Sequence, residues 1–133
     1  MHQFNASYAQ GKSFWTVAPS NPQASGLFSG SSTYERPGIG YIALRQILGH
    51  GNFTRALEQI QRAYDGASVT EAQLEAVFRH WLPVQTTECR AWLGQFFRQW
   101  WDTAYPAGGG KNRPHITGPG LAGRNFYRPG GGC

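Results

Sequence analysis

Seven apolar residues between positions 89 and 101 constrain this chain more than any other feature: Cys89, Trp92, Leu93, Phe96, Phe97, Trp100 and Trp101. They recur at i, i+3, i+4, i+7, i+8, i+11 and i+12, the spacing of one continuous helix face. Five of the seven are aromatic, and each such ring carries about 150–250 Å² that must leave water. A face of this kind needs other helices to cover it. It reads as a core face, and its aromatic weight leaves room for part of it to seat against a neighbouring domain.

Three further helices are expected upstream. Pro37 suits a first helical turn, where a missing N–H forfeits no bond. Behind it Ile39, Ile42, Ala43, Leu44, Ile47 and Leu48 form a broad apolar stripe, which Gly49 and Gly51 end. A second helix is predicted over about 52–64, with Phe53, Leu57, Ile60 and Tyr64 on one face and a stop at Asp65-Gly66. For the third, Ser68 and Glu71 have capping-box spacing, and Thr70 is a competing N-cap. It carries Leu74, Val77, Phe78 and Trp81 and halts at Leu82-Pro83. Thr86 or Thr87 caps the fourth, aromatic helix. Four amphipathic helices on short loops predict an all-α, four-helix bundle-like domain. Nothing predicts a sheet.

Glycine and proline set the boundaries. The 18 Gly and 8 Pro crowd both ends of the 133 residues. They mark an extended N-terminal segment (1–33) with a short helix near Gln3–Gln10, a helical domain (34–106) and a Gly/Pro-rich tail (107–133). Phe14, Trp15, Leu27 and Phe28 are isolated and read as anchors that pin an extended segment onto something else. The formal net charge of +5 is scattered rather than gathered into the basic stripe of a nucleic-acid reader, so nucleic acid is not an expected partner. No run approaches the roughly 20 apolar residues of a membrane span. The first residues lack the order of a secretory signal, which leaves the compartment open, a secreted parent included.

The familiar catalytic signatures are absent: no H-E-x-x-H, no G-x-S-x-G, no phosphate loop, no C-x-x-C. His2, His50, His80 and His115 lie far apart, without the close pairing of metal ligands. His50, after a helix end, is placed to favour the dipole as a partly positive imidazole. Glu71, Glu75 and Arg79 read as solvated i, i+4 partners, and no two carboxylates stand out as an acid–base couple. Cys89 and Cys133 are too few for structural zinc. They read either as one disulfide tying the tail to a helix start or as two unrelated thiols.

The segment TYERPGIGYIALRQILGHGNF carries the functional information. Tyr34, Glu35 and Arg36, then Ala43-Leu44-Arg45, Gly49 and Phe53, follow one another as in the catalytic domain of aminopeptidase N-like zinc peptidases, the gluzincins. Thr70 before a helix and Phe96-Phe97-x-x-Trp100 followed by Pro106 continue the pattern, and Leu27-Phe28 fits the approach to the tyrosine. The chain resembles that family over about 21–106. It departs at Pro37, where the family has glycine, with Gly38 one position later.

The resemblance implies a mechanism. In the family, zinc held by two His and one Glu polarises the scissile carbonyl and activates water, while a tyrosine hydroxyl stabilises the oxygen that turns negative. Tyr34 is the residue implied for that role, with Glu35, Arg36 and Gly38 as candidates for the substrate-pocket wall. The zinc ligands of the family lie upstream of this pattern, so zinc is expected in the complete enzyme and not on this chain. The expected partners are then the zinc-binding half, or another protein chain, and a peptide substrate. Alternatively, the chain is a non-catalytic helical interaction module on a peptidase-derived scaffold, with Phe14, Trp15, Trp100 and Trp101 as its anchors. A small independent enzyme using Tyr34 or a cysteine lacks a base nearby in sequence.

Overall fold

The computed structural model describes residues 13–22, 24 and 30–105. Among them there is no strand, and four helices of ten residues or more build a bundle-like body. A four-residue helix, α1 (Ser13–Thr16), comes first. A π-helical turn over Gly30–Glu35 leads directly into α2 (Arg36–Leu48), followed by α3 (His50–Tyr64), α4 (Glu71–His80) and α5 (Thr87–Phe97). A second π-helical turn, Arg98–Asp102, continues α5. No helix among the described residues is long and apolar enough to cross a membrane.

Local chemistry sets most boundaries. Glu35 makes no side-chain cap for α2, yet its backbone is already helical at φ −70°, ψ −47°. The π turn thus feeds α2 without a break, and Pro37 sits within the first two residues, as expected. Gly49 alone separates α2 from α3, at φ 81°, ψ 156°, a conformation open essentially to glycine only. α3 starts at His50, two residues before the predicted start, because this single-residue joint lets the next helix begin at once.

The third N-cap is Thr70, not Ser68. Thr70 Oγ1 accepts from Gln73 N (3.2 Å) and Gln73 Oε1 accepts from Thr70 N (2.8 Å), so the reciprocal box forms with Gln73 and leaves Glu71 out of it. At the other end of α4, the Gln85 amide donates to the carbonyls of Arg79, His80 and Leu82. Those are groups a helix terminus leaves unpaired. Thr86 caps α5 by accepting from Cys89 N at 3.2 Å.

The predicted stripe of α5 is the core. Cys89, Trp92, Leu93, Phe96, Phe97, Trp100 and Trp101 are all buried, together with Trp15, Ala43, Leu44, Ile47, Leu48, Ala56, Val77 and Phe78. Phe97 stacks on Trp101 at 4.9 Å between centroids, and Phe53 of α3 stacks on Phe78 of α4 at 5.9 Å. Among the apolar residues of α3 only Ala56 is fully buried; Phe53 and Ile60 pack from its side. It is therefore the outer helix of the bundle.

The N-terminal segment is less extended than expected, since α1 and the first π turn are helical and pack on each other. Trp15 does anchor it, fully buried against Trp100 (5.5 Å) and Tyr105 (5.9 Å). The side chain of Phe14, Leu27, Phe28, the helix expected near Gln3–Gln10, Pro106 and the tail over 107–133 lie outside what is described.

Candidate functional site

The sequence offers Tyr34, Glu35, Arg36 and Gly38 as one group, and the structure sends them in different directions. Tyr34 stands in the last part of the first π turn and is 62% exposed. Glu35 is half-buried, and Gly38 faces open space on the surface of α2. Arg36 is fully buried. Of the four, Tyr34 and Gly38 are the exposed ones.

Arg36 points inward because the bundle gives its donors work there. Nη1 donates to the carbonyls of Val17 (3.0 Å) and Trp15 (3.4 Å). Nη2 donates to those of Gln99 (2.7 Å) and Thr103 (2.6 Å). Trp15 and Val17 close α1, and Gln99 and Thr103 close the second π turn, so one planar fork caps two helix ends at once. The rings of Trp15 and Tyr105 lie 5.0 and 5.6 Å from the guanidinium carbon, within cation–π range. Burial lowers the Arg36 pKa to about 10, with Tyr105 acting in the opposite direction; the group remains charged at neutral pH. Burial in turn raises the Tyr105 hydroxyl, while hydrogen bonding to Thr103 and the charge of Arg36 pull it back.

The same seam is closed by further long-range bonds. Ser20 N and Oγ both donate to the Trp101 carbonyl (3.0 and 2.9 Å), and Tyr105 N donates to the Trp15 carbonyl at 2.7 Å. Tyr34 thus projects from a π turn whose neighbours are tied together across the chain. Single π turns frequently mark functional positions.

A second electrostatic feature escaped the sequence. Glu71 was expected as a solvated member of the Glu71–Glu75–Arg79 row. Glu75 and Arg79 do form their ion pair, but Glu71 is half-buried beside Asp102, 31 residues away in sequence. Burial raises its pKa to about 7, helped by the charge of Asp102, a hydrogen bond to it and the charge of Glu75. Burial and Glu71 together raise the Tyr41 hydroxyl as well. No spacing rule could pair a residue at a helix start with one at a π-turn end.

Other candidates resolve more simply. His50 heads α3 instead of trailing α2, and its Nδ1 lies 3.2 Å from Arg45 Nε. His80 sits edge-on to Trp81 at 5.3 Å. Trp15, Trp100 and Trp101, the anchors of the interaction-module alternative, are inside the core. A groove of about 490 Å³ runs along α3, lined by Arg55, Glu58, Gln59, Arg62, Ala63 and Trp81. It contains no residue of the first π turn. Cys89 is buried at the start of α5; Cys133 lies outside the described residues. Among the described residues no three His, Cys, Asp or Glu side chains converge as a metal centre would require. Compared with protein-family models, curated proteins and solved structures, the chain matches none of them.

Proposed function

We propose that this chain is the tyrosine-bearing part of a zinc aminopeptidase catalytic domain. It supplies Tyr34 as a hydrogen-bond donor to the oxygen that becomes negative when the peptide carbonyl turns tetrahedral. In this reading the metal belongs to another polypeptide segment, and peptide substrate enters between the two. The supporting observation is the placement of Tyr34. Its phenol is open to solvent at the head of a long helix, where an internal structural tyrosine would be sealed in the core. A donor aimed at a charge that exists only in the transition state contributes to rate and not to substrate binding.

Gly38 fits the pocket wall in the same reading, since a ligand can approach it without meeting a side chain. Arg36 does not touch substrate in it, because its donors are turned to carbonyls of the chain itself.

The test is reconstitution. Alone, the chain is expected to leave an aminoacyl-arylamide uncleaved. Combined with a zinc-binding half that carries H-E-x-x-H, it is expected to cleave it, and Tyr34→Phe is expected to lower kcat by about 100- to 1000-fold with little change in KM. Full activity in the Phe variant removes Tyr34 from the mechanism.

A further inference from the structure

Resting on that reading, we infer that Arg36 is the positioning residue of the site: its buried guanidinium fixes where the Tyr34 hydroxyl points.

The argument begins with exposure. A buried phenol is aimed by the side chains packed around it. Tyr34 is 62% exposed, so its direction is inherited mainly from the backbone of the first π turn. That turn packs against α1 and α2, and Arg36, two positions along the chain at the start of α2, bonds α2 to the end of α1.

Four carbonyls hold the guanidinium, and they come from separate parts of the molecule. Trp15 and Val17 belong to the segment before the tyrosine; Gln99 and Thr103 lie 63 and 67 residues after Arg36. Trp15 and Tyr105 add ring contacts to the same group. The π turn runs into α2 without a break, so the fork that holds the first residue of α2 also holds the end of the turn from which Tyr34 projects. A lysine cannot replace it, because one ammonium cannot span two pairs of carbonyls as a planar fork does.

The positioning role differs from a purely structural one in what it predicts for Tyr34. The readouts are the ring signal of Tyr34 in chain labelled with ¹³C-tyrosine, and amide hydrogen exchange over residues 30–36, with Tyr64 at the end of α3 as internal control. In Arg36→Lys, the Tyr34 signal is expected to shift or broaden and exchange over 30–36 to rise by about tenfold or more, while Tyr64 stays unchanged. Tyr105→Leu removes the ring beside Arg36 and Trp15 and the hydroxyl bond to Gln99 while leaving the guanidinium donors, and should move the same signals less; Tyr105→Phe restores the ring and should reverse most of the shift. That pair keeps the test decisive if the lysine variant does not fold.

In the reconstituted enzyme, Arg36→Lys is expected to lower kcat with KM nearly unchanged, on the scale of about 100-fold for an ångström of misplacement. A folded Arg36→Lys or Tyr105→Leu chain with an unmoved Tyr34 signal overturns the proposal, as does movement of Tyr34 and Tyr64 in equal measure. The functional reading fails separately: Tyr34→Phe with full activity removes the catalytic role and leaves the spectroscopic result standing.

Discussion

Gly40 of α2 lies flat beneath the indole of Trp101: a Cβ built on it would stand 2.5 Å from Cη2 and about 3 Å from two further ring atoms. The indole is itself held by Phe97 at 4.9 Å and Tyr41 at 5.6 Å. It has nowhere to retreat. Gly40→Ala is therefore expected to destabilise the chain by about 1–3 kcal/mol through overpacking. Gly38, two residues earlier and so on a different side of the helix, meets nothing within 4 Å. Gly38→Ala is expected to stabilise α2 by roughly 0.5–1 kcal/mol through the ordinary helix preference for alanine. Urea denaturation of both variants checks the sign reversal; two effects of the same sign would contradict the close approach.

Replacing Arg36 with Met keeps much of the volume, removes the guanidinium donors of the Val17 and Thr103 carbonyls, and leaves those of Trp15 and Gln99 only their bonds from Tyr105. A buried acceptor left unpaired costs about 1–3 kcal/mol. Part of that is recovered by water entering at the half-buried carbonyls. A loss of about 3–5 kcal/mol is expected for Arg36→Met, read as a lower urea midpoint at unchanged slope. Arg36→Lys is expected to fall between Met and wild type.

Glu71 makes stability fall with pH. Its pKa rises from the ordinary 4.5 to about 7 in the folded chain, so the folded state holds the proton more tightly than the unfolded one. Below about pH 4.5 both states are protonated and the burial costs nothing. Between about 4.5 and 7 the unfolded chain ionises first, and stability declines; above 7 the full cost is present. Asp102, Glu75 and Tyr41 face this carboxyl from the second π turn, its own helix and α2. Glu71→Gln is expected to raise the thermal midpoint at pH 8 and leave it unchanged at pH 4. Asp102→Asn should act in the same direction, since it removes the neighbouring charge. Melting curves at the two pH values decide it.

Tyr34→Phe is expected to change stability by less than about 0.5 kcal/mol, as surface substitutions usually do, because the hydroxyl is exposed. A destabilisation of several times that size would show that the phenol supports the fold, and any loss of activity would need another explanation.

The helices were legible because their signals are local. The stripe from Cys89 to Trp101 repeats within a few turns, and every member is buried. Pro37 at the head of α2 and Thr86 at the head of α5 act on atoms within three or four residues of themselves. The choice of Thr70 over Ser68 was less legible, since both have a partner at the right spacing and the box forms with Gln73. Neither π turn was legible, because a π turn keeps much the same short-range apolar spacing as an α turn.

What the amino-acid order determined by itself, then, is four helices, their approximate ends and the aromatic face that must be covered, all set by periodicity and capping over a few residues. Only the tertiary structure decided that Arg36 lies inside while Tyr34 lies outside, that Glu71 meets Asp102, and that Gly40 receives Trp101. Each of those depends on which parts of the chain meet across 19 to 67 residues. A side chain's identity states how many hydrogen bonds it can make, but not which distant carbonyls, rings or carboxyls the packed bundle will bring to it.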